Sequence, residues 1–315
     1  MLLSVSVLNP SNDELIMELT NPERSGFTIR KIDGIGPTKS NINIYDIPSI
    51  DGGLFNSART QARQIIIKLG YMWIATGSHS TPLIEDARHL SYKYFPLKRK
   101  VRLEFITDHR TLYIDGYIES NEPDIFSKDE VTTISIMCPD PNFYETKTRY
   151  GYINYSNKKL FEFPFSNESL DDKLLEFSSI KSANDRCTID YTGDNVTGVQ
   201  AELRFSEEFP ASQRITLSFI NDIKSSYITI DPTRIIRKTK HQIHKGEYLI
   251  INGKPGQKSV EYYRLTETHN CFDSITLNDD WPMLYPGRNT VVIKAGESTD
   301  SVKGRIIYNV LYDGV

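Results

Sequence analysis

The stretch from Ile134 to Tyr144 reads Ile-Ser-Ile-Met-Cys-Pro-Asp-Pro-Asn-Phe-Tyr, and it constrains the fold more than any other part of the 315-residue chain. An apolar run that ends in Pro139-Asp140-Pro141 is a β-strand stopped at a rigid corner, because proline fixes its own φ and has no amide proton to give to a ladder. The corner falls near the middle of a chain whose length corresponds to about two domains. It therefore reads as a domain exit. The aromatic content agrees with strands: 18 Tyr and 14 Phe stand against only five Met.

Upstream of the corner, short alternating segments are separated by turn residues. Leu2 to Leu8 reads as a first strand ended by Asn9-Pro10, with no basic region of a signal peptide before it. Phe27 to Ile32 alternates and runs into Asp33-Gly34-Ile35-Gly36-Pro37, a turn built from permissive glycine and fixed proline. Asn41 to Ile47 alternates again and is followed by the turn Asp51-Gly52-Gly53. Arg63 to Leu69 is short and Ile-rich, the pattern of a buried strand. Val101 to Ile106 and Thr111 to Glu119 flank the polar tetrad Thr107 to Arg110, and Val131 to Met137 is the strand that meets the corner. One helix is predicted. Thr81-Pro82 supplies an N-cap and a first-turn proline, Leu83, Ala87, Leu90 and Tyr94 form one apolar face, and Pro96 stops it. Residues 1–149 are thus expected to be an α+β domain, mainly β with one short helix.

Residues 150–315 show no long amphipathic helix. Candidate strands at 187–191, 199–205, 215–220, 227–230, 247–251, 260–265, 274–277, 290–294 and 305–311 are separated by turn signals such as Asn252-Gly253 and Pro286-Gly287. Many short strands at this spacing predict a β-sandwich. The segment 150–185, rich in Ser, Asn and Lys but carrying Phe161, Phe163 and Phe165, reads as an ordered crossover into that domain.

Little in the sequence points to chemistry. The net charge of -4 gives no general attraction to phosphates. Cys138, Cys187 and Cys271 are sparse, odd in number and far apart, which fits buried free thiols in a reducing cytoplasm. No nucleophile elbow, zinc-binding helix or dinucleotide fingerprint is present: Gly34-Ile35-Gly36 is followed by Pro37 and not by a helix able to hold pyrophosphate. His241 and His244 lie three apart beside the basic run from Arg234 to Lys245. That run reads as a strand or hairpin, which places the two imidazoles on opposite faces without a third ligand. Without interleaved aromatics it is not a stacking platform for single-stranded nucleic acid. Trp73 and Trp281 are open to two readings, core packing or a sugar-stacking surface. No apolar run approaches the roughly 20 residues of a membrane span. The expectation is a non-enzymatic protein without cofactor or metal and without membrane insertion.

Several segments, in order, resemble the distal tail protein (Dit) family of long-tailed phages that infect Gram-positive bacteria. They are Gly34 to Asn43, Asp51 to Arg63, Glu85 to Pro96, the strand ending in Cys138-Pro139-Asp140-Pro141-Asn142-Phe143-Tyr144, Tyr191 to Gly198, Leu284 to Asn289 and the closing Tyr312-Asp313-Gly314-Val315. Each is moderately specific, and their order and spacing span nearly the whole chain. The resemblance implies an N-terminal domain, residues 1–149, that builds a homohexameric ring around a channel, and a galectin-like C-terminal β-sandwich, residues 150–315. The ring joins the major tail tube protein to the tail-tip or receptor-binding baseplate proteins and lets phage DNA pass. The protein is then made in the host bacterial cytoplasm and ends in the virion at the tail tip.

Within that frame Gly34, Gly36, Pro37, Asp51, Gly52, Cys138, Pro139, Asp140 and Pro141 are expected to be structural motif residues. A ring is a head-to-tail assembly that needs two different complementary surfaces. The turn-rich first 60 residues offer an arm across a neighbour. Arg59 and Arg63, four apart, are candidates for carboxylate bridges at a subunit contact, with pairing inside the chain or exposure to solvent as the equal alternative. A carbohydrate-binding tail protein that grips the host cell wall stands as the alternative function, and a wall hydrolase lacks any candidate carboxylate pair or metal triad. The net charge of -4 predicts a neutral or acidic channel lining.

Overall fold

The computed structural model describes residues 2–48, 51–71, 84–124, 130–154, 158–159, 178–179, 185–276 and 280–315. The chain separates into two compact units, Met1–Lys147 with Leu311–Val315, and Thr148–Val310. The last five residues thus belong to the first unit, although sequence reading assigns them to the sandwich.

The first unit is built from β1 (Leu2–Leu8), β2 (Leu15–Glu18), α1 (Pro22–Ser25), β3 (Phe27–Asp33), β4 (Ser40–Asp46), β5 (Gly53–Thr60), β6 (Arg63–Tyr71), α2 (Ile84–Tyr94), β7 (Lys100–Thr107), β8 (Thr111–Asp124), β9 (Val131–Cys138) and β10 (Phe143–Glu145). Its main sheet has nine strands, with the order β2-β1-β7-β8-β9-β6-β3; β10 pairs with β8 and with the terminal strand Leu311–Tyr312. The pairings are antiparallel, so one face collects every second residue. Val5, Val7, Ile65, Ile67, Leu69, Leu103, Phe105, Leu112, Ile114, Ile134 and Ile136 all lie there, buried.

Helix α2 rests on this unit through Phe95, just past its end, and through Ser91. Ser91 O accepts from Asn121 Nδ2 at 3.2 Å, and Asn121 Oδ1 accepts from Thr132 Oγ1 at 2.7 Å. Leu90 and Tyr94 are only half-buried, so the packed face is turned by one residue from the predicted one. Thr81, Pro82 and Leu83 lie outside the described residues, as do Trp73 and the three phenylalanines Phe161, Phe163 and Phe165.

In the second unit a six-stranded antiparallel sheet runs in the order Arg149–Ile153, Val302–Tyr308, Gln200–Phe205, Tyr248–Asn252, Ser259–Arg264, Glu267–Asn270. A four-stranded sheet runs Arg186–Tyr191, Gly287–Lys294, Ile215–Ile220, Ser226–Ile230. Their inner faces meet. A Cβ added to Gly304 of the first sheet would stand 2.4 Å from Ile293 Cδ1 of the second, and one added to Gly151 would stand 2.9 Å from Ile189 Cδ1. Buried Leu203, Leu249, Ile251, Val260 and Ile306 face Leu217, Phe219, Ile228, Val291 and Ile293 across the core.

Two expectations fail here. The basic run is not a hairpin: Pro232–Thr239 is a third helix, α3, capped by Asp231, whose carboxylate accepts from Thr233 N at 3.0 Å. His241 and His244 follow it with ring centroids 4.6 Å apart, so the chain brings them together instead of separating them. His241 Nε2 lies 3.3 Å from Glu247 Oε1, and among the described residues no three His, Cys, Asp or Glu side chains cluster as metal ligands. The stretch 274–277 opens with the end of a 3-10 turn, Phe272–Ser274, not a strand. No helix among the described residues is long and apolar enough to cross a membrane.

Burial pushes the Cys138 thiol up to about 12 against the opposing pull of the Arg63 cation, and burial likewise lifts Cys271 to about 11. A thiol raised in the folded state favours folding below its ordinary pKa. That contribution is lost as the pH climbs toward 12. At pH 8 the native chain is expected to take up one iodoacetamide label, at half-exposed Cys187, and three in denaturant, read by intact mass.

Candidate functional site

The first-unit motifs converge on Arg63. Alternation along β6 gives Arg63 the same parity as Ile65, Ile67 and Leu69, so its side chain points into the core and is 2% exposed. An arginine so placed must spend its donors on internal acceptors. Nε donates to Pro141 O at 2.7 Å, Nη1 to Gly34 O at 2.7 Å and to Gly36 O, and Nη2 to Asp313 O at 2.6 Å. The guanidinium also lies 4.5 Å from the centroid of the Phe143 ring, which packs edge-on against Phe105 at 5.6 Å. Burial lowers the Arg63 pKa from its ordinary value, offset by nearby Cys138 and Asp313; a guanidinium remains charged all the same.

Each of those acceptors is delivered by a recognisable local device. Arg63 and Cys138 are register partners across β6 and β9, so the proline corner begins beside the guanidinium. Asp140 shapes the corner by accepting from Asn142 N at 3.0 Å, and it also accepts from the Tyr144 hydroxyl. Pro139 and Asp140 face solvent, while the Pro141 carbonyl points inward to Arg63. Gly34 turns the opposite segment with φ +87, and Pro37 lies exposed beyond Gly36. The terminal residues are pinned by Val315 N donating to Ile35 O at 3.1 Å, by pairing of Tyr312 with Phe143, and by Arg110 stacked 4.3 Å over Tyr312.

A Cβ on Gly34 would stand 2.1 Å from Gln64 O in a backbone conformation that side chains rarely adopt, whereas one on Gly36 would meet nothing within 4 Å. Gly34→Ala is therefore expected to cost about 3 kcal/mol and Gly36→Ala less than about 0.5 kcal/mol, measured by urea unfolding.

Arg63 is consequently not a surface residue, and the expectation of a subunit-bridging guanidinium is corrected there: its donors are consumed by four backbone carbonyls. The signal was present in the sequence as the shared parity with Ile65, Ile67 and Leu69. Arg59 differs. It is exposed on β5, opposite Asn41 of β4.

Strands β4 and β5 form a separate two-stranded ribbon. Asp51 and Gly52, the latter at φ +94, lie at its turn. Two adjacent cross-strand pairs near that turn are apolar, Ile44 with Phe55 and Tyr45 with Leu54, while Ser40–Thr60, Asn41–Arg59 and Asn43–Ser57 are polar. Yet Ile44 is 59% exposed and Phe55 67% exposed. An isolated hairpin is marginal in water, and exposed apolar pairs of this kind are a feature of contact surfaces. The ribbon carries no alternating burial, which is why β5 leaves no strand signal.

Trp281, in the second unit, is half-buried. It packs against Phe272 at 5.5 Å, with Lys258 Nζ 5.3 Å from its ring centroid.

No family model matches the sequence, and no curated protein matches it. Solved structures do. The crystal structure of the SPP1 Dit protein (gp 19.1), described as a paradigm of the hub adsorption apparatus in Gram-positive infecting phages, aligns with a TM-score of 0.62 at 11% identity, over 98% of this chain and 98% of that one. Chains of the phage p2 baseplate in its activated conformation align at TM-score 0.46, with 14% identity for the strontium form and 13% for the calcium form, over 99% of each chain. The SPP1 match runs through both units from end to end, and this chain has the fold of a phage distal tail (Dit) protein.

Proposed function

We propose that this chain is a structural, non-enzymatic component of a phage tail: a distal tail protein whose copies close into a hexameric ring between the tail tube and the tail-tip or baseplate proteins, with a channel that passes DNA. The observation that carries this reading is the fold shared with SPP1 Dit over 98% of both chains. The exposed ribbon adds a physical reason. Residues 1–147, closed by 311–315, then build the ring, with β4 and β5 reaching across to a neighbouring copy so that Ile44, Tyr45, Leu54 and Phe55 are covered. Arg59 stands at that contact. Residues 148–310 serve as the galectin-like sandwich that projects from the ring. The partners are the chain itself, the major tail tube protein and a receptor-binding or tail-associated baseplate protein, and the place of action is the virion tail tip. The channel lining is neutral or acidic. Rings seen by negative-stain microscopy of the purified chain test the reading; dispersed single particles at high concentration contradict it.

A second reading, a carbohydrate-binding tail protein, has one observation in its favour. Tyr150 and Tyr152 form an exposed stacked pair, 6.3 Å between centroids, on the edge strand of the six-stranded sheet. Binding of wall glycan by the full chain that is lost in Tyr150→Ala would favour it.

A further inference from the structure

The basic run that begins at Arg234 changes meaning once it is a helix. On a strand, Arg234, Arg237 and Lys238 would be divided between two faces; on α3 they lie at i, i+3 and i+4 and share one side. The opposite side, Pro232 and Ile235, is buried. We propose that this outer side of α3, continued by Lys240, is a binding surface for a phosphate-bearing polymer, engaged through its phosphates alone. The inference is independent of the hub reading.

Four observations carry it. Arg234, Arg237 and Lys238 line a depression of about 440 Å³ together with Asp273. Asp273 fixes two of the cations: Arg234 Nη1 donates to its carbonyl at 2.7 Å and Lys238 Nζ lies 3.4 Å from its carboxylate. Arg237 is exposed and has no hydrogen bond or ion pair among the described residues, so its fork is open to a ligand. The backbone adds a fourth observation. Arg234 is held at the first turn by the capping carboxylate, its Nε 3.7 Å from Asp231 Oδ2, while Lys240 holds a left-handed conformation, φ 54, that glycine or asparagine adopts with less strain. A strained cation beside an open guanidinium fork points to a use outside the fold.

Charge complementarity selects the ligand. From Asp231 to Lys245 the sequence has five Lys or Arg and one carboxylate, in a chain with net charge -4. Guanidinium forks match phosphate oxygens in pairs. No Phe, Tyr or Trp occurs between Asp231 and Lys245, so bases have no platform and recognition stops at the phosphates.

The test titrates the full chain into a fluorescein-labelled linear polyphosphate and reads anisotropy. Saturable binding at 50 mM salt is expected, weakening roughly 30-fold at 200 mM if about three phosphates are neutralised. Arg237→Ala should weaken binding about tenfold and lower the salt slope by about one, whereas Arg288→Ala, an exposed cation on the four-stranded sheet, should leave both unchanged. Oligonucleotides of different sequence should bind equally per phosphate, and poly-glutamate of equal charge at least tenfold more weakly. No binding at 50 mM salt, an unchanged Arg237→Ala, a base-sequence preference, or equal affinity for poly-glutamate would each overturn the proposal.

Discussion

Arg63→Met is expected to destabilise the first unit by about 4 kcal/mol, lowering its thermal transition by roughly 10 °C. The magnitude follows from what is left behind. Methionine fills most of the volume and keeps the contact with Phe143, but it donates nothing. The carbonyls of Gly34, Gly36, Pro141 and Asp313 would stay buried without their shared donor. Each unsatisfied acceptor costs about 1–3 kcal/mol before relaxation. Relaxation is limited because the four carbonyls come from three separate segments, one of them pinned by the terminal strand. Arg63→Lys should recover less than half the loss, since an ammonium has three donors and no planar fork. Arg59→Ala, on the exposed ribbon, should change stability by less than about 0.5 kcal/mol. Equal effects at Arg59 and Arg63 in calorimetry would sink the assignment of Arg63 as the internal knot.

The second large effect concerns assembly. Ile44→Lys combined with Phe55→Glu replaces one apolar cross-strand pair of the ribbon by an opposite-charge pair. The ladder keeps an attractive pair, so the hairpin should persist. The two side chains lost from a contact contribute about 2 kcal/mol each if a neighbour buries them. Association per contact then falls roughly 10³-fold. The isolated chain should unfold within about 0.5 kcal/mol of the parent, because neither side chain is buried in it. Sedimentation velocity at matched concentrations separates the outcomes: a shift to single chains with unchanged stability is expected. An unchanged assembly would mean that the ribbon is not the contact.

How far the sequence could be read depended on which residues are buried. Strands with one buried face, such as Arg63–Tyr71, Val131–Cys138 and Ile215–Ile220, leave a period of two and are legible. The strands Leu15–Glu18 and Gly53–Thr60 are mostly exposed, so selection for packing leaves no alternation in them. Helix α3 carries its start signal in plain sight, a capping Asp231 before Pro232, but Asp-Pro is equally a turn signal and only Pro232 and Ile235 are buried among its eight residues. The motifs around Gly34, Pro141 and Asp313 were visible as separate segments. Their common purpose was not, because hydrogen bonds to backbone carbonyls leave no side-chain partner to look for. Only the parity of Arg63 within its strand points to it.

In the proposed role, copies of this chain fit together into a closed ring. Native mass spectrometry of the purified full chain decides whether they do. A dominant closed hexamer is expected, collapsing to single chains in the ribbon double variant. A single chain at every concentration, in a preparation whose first unit unfolds cooperatively, would contradict it.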